Sequence, residues 1–298
     1  MNHQPHHAPP ASATAMPPAS ATEPVFPLLK RTLDPVIASF PYVPILDGQV
    51  ALCQHSGIAY QISPRVYDYG EGYFANYVER AGTEVANQLN RVRMATVYGI
   101  LGDRMDPNPE GPTSLLDVGI GSGEFLQWMM DRRGVSHSLA LRGYDINPVG
   151  VEWLKQKGIF LNPYAVGEIP SGALVTLWDT LEHIPEPQSF FALFQPGAWL
   201  ACSLPVFAAP LTEEVLLASK HYKPDEHLYY FTRGGLIHWL DRHGFDFIRY
   251  HDGETTAGRE GIGTFVFRKR AQPKCAECGG KGVIAPTKEI CPRCGGGE

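Results

Sequence analysis

The run Leu115-Leu116-Asp117-Val118-Gly119-Ile120-Gly121-Ser122-Gly123-Glu124 constrains the fold more than any other part of the chain. Apolar residues end in an acid and then in three glycines spaced two apart, which reads as a strand, a tight turn and the start of a helix. Glycine at 119, 121 and 123 allows positive φ and lets a ligand lie against bare main chain, as nucleotide-binding turns of open α/β sheets require. The spacing is G-x-G-x-G rather than the G-x-G-x-x-G of dinucleotide folds, and Asp117 stands two residues before the first glycine.

The segments that follow repeat the strand and helix alternation. Leu139 to Tyr144 reads as a short strand with Asp145 at its carboxyl end, where open sheets bind ligands and where an acid can accept both hydroxyls of a ribose. Val149 to Lys157 reads as a helix closed by Gly158, and Leu174 to Trp178 as an apolar strand ending at Asp179. Pro196-Gly197 turns the chain into a further apolar run, Ala198 to Leu204. Apolar residues at 236, 237, 239 and 240 form one helical face ahead of Gly244. Phe245 to Tyr250 and Thr264 to Phe267 are two β-rich runs around a glycine-rich loop.

The glycine turn resembles motif I of the class I S-adenosylmethionine-dependent methyltransferases, of the type 11/23 kind, and Asp179-Thr180-Leu181-Glu182-His183 resembles motif IV in its D-x-L-E-H form. The likeness covers roughly residues 65 to 270. It implies a Rossmann-like, doubly wound α/β sheet of seven strands with an edge β-hairpin. It also implies S-adenosylmethionine as cofactor, with Asp117 and the Gly119, Gly121, Gly123 turn holding the methionine end and Asp145 the ribose. Asp179, Thr180 and Leu181 would then line the methyl-transfer end of the cleft. His183, His221 and His227 are the histidines available there as a base, with His183 and His227 preferred as catalytic residues. A nicotinamide-dependent oxidoreductase also uses a glycine turn and a ribose-binding acid, but Asp117 and the glycine spacing disfavour it. A scaffold built on a degenerate fold is the reading from another class, and no cofactor motif is visibly broken.

Six cysteines divide unevenly over the 298 residues. Cys53 and Cys202 are solitary, whereas Cys275, Cys278, Cys291 and Cys294 follow the spacing C-x2-C-x12-C-x2-C of a tetrahedral Zn²⁺ site. The glycines after each pair resemble the C-x-x-C-x-G-x-G repeats of the DnaJ-type zinc domain, of which two are present here without a J domain, so no co-chaperone identity follows. Four thiolates leave no position open, so the expected Zn²⁺ is structural. From Arg268 onward seven Lys or Arg face three Glu, so this tail is net +4 within a chain of net −6. Such asymmetry keeps contact with a polyanion open as an alternative.

Met1 to Pro24 holds six prolines and three histidines with almost nothing to bury, the composition of a disordered tail. It lacks a basic segment followed by an apolar one, and no uninterrupted apolar span reaches membrane length, so the expected location is cytoplasmic. Val50 to Cys53 and Ile58 to Ile62 around His55-Ser56-Gly57 read as a small hairpin, and Gly82 to Ile100 as a helix. Tyr67 to Tyr77 carries five aromatics in eleven residues, suited either to covering a ligand or to packing under a cap. The expected organisation is a tail over 1–24, an N-terminal extension and cap over 25–110, a methyltransferase domain over 111–270 and a zinc module over 271–298. The expected acceptor is a small molecule between Tyr67–Tyr77 and Phe207–Tyr230, because these segments are aromatic and carry little positive charge.

Overall fold

The computed structural model describes residues 33–64, 79–102, 112–132, 139–271, 283–284 and 289–290. The N-terminal tail, the aromatic segment Tyr67–Tyr77 and all four tail cysteines lie outside the described residues. In chain order the strands are β1 Val43–Ile45, β2 Val50–Cys53, β3 Ile58–Gln61, β4 Ser114–Val118, β5 Ala140–Tyr144, β6 Ala173–Trp178, β7 Trp199–Phe207, β8 Tyr229–Thr232, β9 Phe245–His251 and β10 Ile262–Lys269, then β11 Val283–Ile284 and β12 Glu289–Ile290. The helices are α1 Pro35–Ala38, α2 Glu84–Leu101, α3 Glu124–Asp131, α4 Pro148–Gln156, α5 Pro163–Val166, α6 Pro187–Phe191, α7 Glu213–Ala218 and α8 Arg233–Arg242.

β5, β4, β6 and β7 pair in parallel in that order, and β10 and then β9 continue antiparallel at the β7 edge. The edge hairpin expected from residues 245–267 is therefore present. β7 pairs with β6 over Trp199–Ser203 and with β8 over Val206 and Phe207. Through β8 the sheet runs on to β3, β2 and β1, all antiparallel, and reaches ten strands among the described residues. The hairpin expected at residues 50–62 is β2–β3, and it belongs to this sheet.

The sheet thus differs from the expected seven strands in both directions. The segment after α4 makes a single parallel bridge, Gly143 to Phe160, and adds no full strand at that edge. Its shortness has a local cause, because Asn162 caps α5 and Pro163 occupies that helix's first turn, so the chain leaves the sheet after Leu161.

The central strands are apolar on both faces because both faces are covered. Leu115, Leu174, Trp178, Trp199 and Ala201 pack on one side against Val97 and Ile100 of α2 and Phe125, Leu126 and Met129 of α3. Leu116, Val175, Leu177, Leu200 and Cys202 pack on the other against Phe190 and Phe191 of α6 and Leu236, Trp239 and Leu240 of α8. Each such large side chain, fully buried, contributes about 1.5–3 kcal/mol. The carboxyl ends of β4, β5 and β6 are held side by side by these two cores. No helix among the described residues is long and apolar enough to cross a membrane.

Candidate active site at the carboxyl ends of β4, β5 and β6

The glycine turn leaves β4 with φ of +76° at Gly119, and the Gly119 N–H donates to the Tyr144 carbonyl at 2.8 Å, locking the end of β4 to that of β5. Gly123 caps α3 with φ of +73°, and a Cβ there would come within 2.8 Å of the Trp153 ring of α4. Both positions require glycine for conformation and for space. Asp145 faces this turn, its Oδ2 accepting from the Gly121 N–H at 3.2 Å and its Oδ1 from the Asn147 N–H at 2.8 Å. Burial raises the Asp145 pKa, and the backbone donors oppose that rise. Beside it Ile146 is half exposed, an apolar surface at the mouth of the turn. Gly119, Gly121, Gly123 and Asp145 are thus brought together at the ends of β4 and β5.

Asp117 stands behind the turn and is 1% exposed, with its Oδ1 accepting from the Thr176 hydroxyl of β6 at 2.6 Å. Burial pushes its pKa up to about 7, against the lowering effect of the Thr176 bond.

At the end of β6 the chain turns through Asp179, a non-glycine residue with φ of +54°. Its carboxylate is held by Arg259 at 2.7 and 2.8 Å and by Arg93 at 3.1 Å. Burial alone would raise its pKa, but the Arg259 charge, joined by Arg93, holds it at about 2. Both arginines also bind the fully buried Glu254, Arg93 through Nε at 3.1 Å and Arg259 through Nη1 at 2.6 Å. The four side chains form a balanced network of two cations and two anions, with Arg93 lying over the Trp178 ring at 5.2 Å. Asp179 therefore spends its carboxylate on the two arginines at the end of β6. Leu181 is 0% exposed and packs in the main core, so its side chain does not line the cleft as expected; the tight turn Leu181–His183 rotates it inward. Thr180 is half-buried, with its hydroxyl donating to the Trp178 carbonyl at 3.2 Å. Arg93, Arg259 and Glu254 went unread in the sequence, where isolated charges on a helix and a loop carry no spacing signal.

The same turn brings Glu182 and His183 against His227, which precedes β8. Ligand atoms of the three lie within 4.8 Å of one another, and the two rings pack edge to face at 4.9 Å. The Leu228 N–H donates to the Glu182 carbonyl at 2.8 Å, and His183 Nδ1 binds the Glu226 carbonyl at 2.8 Å. A carbonyl only accepts, so Nδ1 carries the hydrogen and the neutral ring has its lone pair on Nε2, 3.9 Å from Glu182 Oε1. Burial raises the Glu182 pKa well above the usual range, and the Asp179 charge adds to it. Burial also lowers the pKa of His183, and burial together with the nearby His183 takes His227 to about 3. His221, by contrast, binds the Glu260 carbonyl through Nε2 at 2.7 Å.

A family model described as a methyltransferase domain matches residues 91–250, just over half of the 298-residue chain. Solved structures similar to the chain include a S-adenosylmethionine-dependent methyltransferase from Methanosarcina mazei, 16% identical, with a TM-score of 0.41 over 59% of this chain and 98% of that one. Another is magnesium protoporphyrin IX methyltransferase from Synechocystis, 13% identical, with a TM-score of 0.46 over 68% and 96%. A third is 1,6-didemethyltoxoflavin-N1-methyltransferase from Burkholderia thailandensis, 17% identical, with a TM-score of 0.43 over 76% and 98%. Comparison with curated proteins finds no match.

Proposed function

We propose that this chain, which belongs to the methyltransferase-domain family and is a S-adenosylmethionine-dependent methyltransferase, transfers the methyl group to a small molecule. The observation that carries the acceptor class is the pairing of the cations around the acceptor end. Arg93 and Arg259 are committed to Asp179 and Glu254, and Lys223 to Glu226 at 3.0 Å. A nucleic-acid phosphate would have to displace buried carboxylates from their arginines, at a cost of several kcal/mol for each charge left unpaired.

The residues present fit the cofactor. Asp145 stands at the end of β5 facing the turn, where a ribose would lie against its carboxylate, Ile146 offers an apolar surface for the base, and the Gly119–Gly123 turn gives bare backbone for the methionine end, with Asp117 behind it. Bound there, the cofactor supplies a methyl group already activated by its sulfonium. The protein's part is to position and to exclude water. Asp145 and the glycine turn orient one partner, Thr180 and the end of β6 close the cleft, and Asp179 fixes that end through its arginines. The two proposed catalytic histidines, His183 and His227, stand together beside the end of β6, and burial lowers the pKa of both.

Cys275, Cys278, Cys291 and Cys294 belong to the same proposal as the ligands of a structural Zn²⁺, on the strength of their spacing. A cytoplasmic setting is consistent with Cys53 and Cys202 being buried free thiols.

The test of the acceptor class is salt dependence. Methyl transfer to the true acceptor is expected to change little between about 50 and 200 mM salt, whereas transfer to an oligonucleotide falling steeply over that range would reveal several phosphate contacts and overturn the assignment.

A further inference from the structure

The turn after β6 and the segment leading into β8 bring together a carboxylate, Glu182, and two imidazoles, His183 and His227. Glu182 is 1% exposed and neither of its oxygens has a hydrogen-bond partner; His227 is 5% exposed and its Nδ1 has none. Buried polar atoms of this kind are ordinarily satisfied, and an unpaired carboxylate costs several kcal/mol. All three ligand atoms point into one space less than 4.8 Å across, a span that small side-chain rotations close onto an ion with bonds of about 2.0–2.2 Å.

The donor set and its support agree with that geometry. Two imidazoles and one carboxylate suit divalent transition ions, whereas magnesium and calcium prefer oxygen throughout. His183 donates Nδ1–H to the Glu226 carbonyl, which is how ligating histidines are oriented by a second contact so that Nε2 faces the ion. The Leu228 to Glu182 backbone bond ties the two ligand-bearing segments together.

We propose that Glu182, His183 and His227 hold one divalent transition-metal ion of the zinc class, with the remaining coordination position taken by an oxygen of the methyl acceptor. Three protein ligands leave such a position open, unlike the four-cysteine set of the tail. The second half of the proposal rests on the methyltransferase reading. It narrows the acceptor to molecules with a hydroxyl that can ionise. An oxygen held by the ion is more acidic than in water, so the proton passes to solvent, the oxygen forms its bond to the methyl carbon, and the carbon–sulfur bond breaks. The products are a methyl ether, a neutral thioether and one proton, which balances the hydroxyl and the sulfonium. His183 is then a ligand, and no side chain is needed as base.

The test is a cobalt titration of the full-length chain after chelation and dialysis, followed by absorption, with S-adenosylhomocysteine binding measured on the same samples. Cobalt on the tail thiolates gives near-ultraviolet charge-transfer absorption, which reads the cysteine site separately. The present site is expected to add one further equivalent with visible bands and no thiolate band. Glu182→Gln and His227→Gln are each expected to weaken that equivalent by about tenfold or more, leaving the thiolate band and S-adenosylhomocysteine binding unchanged. Circular dichroism identifies a variant that fails to fold, and the wild-type stoichiometry decides by itself. Wild-type protein that takes up no cobalt beyond the thiolate equivalent, or an affinity unchanged in both variants, overturns the metal site. Cobalt uptake without S-adenosylhomocysteine binding would instead keep the metal site and remove the cofactor reading.

Discussion

Asp117 shows how one position in the cleft is tuned by burial. Burial pushes its folded-state pKa up to about 7, whereas in the unfolded chain a solvated aspartate releases its proton near 3.8. The folded pKa is the higher one, so its contribution to stability falls as pH rises from about 4 to about 7 and levels off above. Asp117→Asn keeps an acceptor for the Thr176 hydroxyl and removes the titration. Urea denaturation across that range is expected to show the variant gaining on the wild type by a few kcal/mol, on the order of 1.4 per pKa unit, and a constant difference would show that Asp117 does not titrate in this way. Positions at strand ends were legible in the sequence: Asp145 and the three glycines stand at the carboxyl ends of β5 and β4. Asp179 was legible as a position at the end of β6, and its ion pairs were not. Its partners, Arg93 and Arg259, are 86 and 80 residues away, and nothing local announces a pairing over that separation.

Among the elements, the arginine network ties α2, the end of β6 and the tight turn Gly253–Ala257 into one unit. Arg259→Met would leave Asp179 short of its main partner and Glu254 with Arg93 alone. Loss of one partner from such a buried set is expected to cost about 3–5 kcal/mol, read as a lower urea midpoint with an unchanged slope. A loss below about 1 kcal/mol would mean that the network is solvated and does not hold the cleft. Elements with continuous apolar runs, β4, β6 and β7, were legible because both faces are buried. β8 was not legible as a strand, since four consecutive buried residues carry no strand periodicity. The single bridge after α4 reflects the Asn162-Pro163 start of α5, a local signal that turns the chain out of the sheet.

For the molecule as a whole, the ten-stranded sheet joins the N-terminal hairpin to the cofactor-binding half through β8. β3, which pairs with β8, lies far off in the chain, and such long-range pairing is set by the shared core of Ile58, Tyr229, Phe231 and Trp239 rather than by any motif. The central claim is that the ends of β4 and β5 hold S-adenosylmethionine through the glycine turn and Asp145. Calorimetric titration of S-adenosylhomocysteine into the full-length protein and into Asp145→Ala tests it most directly. The account predicts one site in the native protein and an affinity roughly tenfold to a hundredfold lower in the variant, the loss of about 1.5–3 kcal/mol expected for a charged hydrogen-bond partner; no binding to the native protein, or the same constant in both, would contradict it.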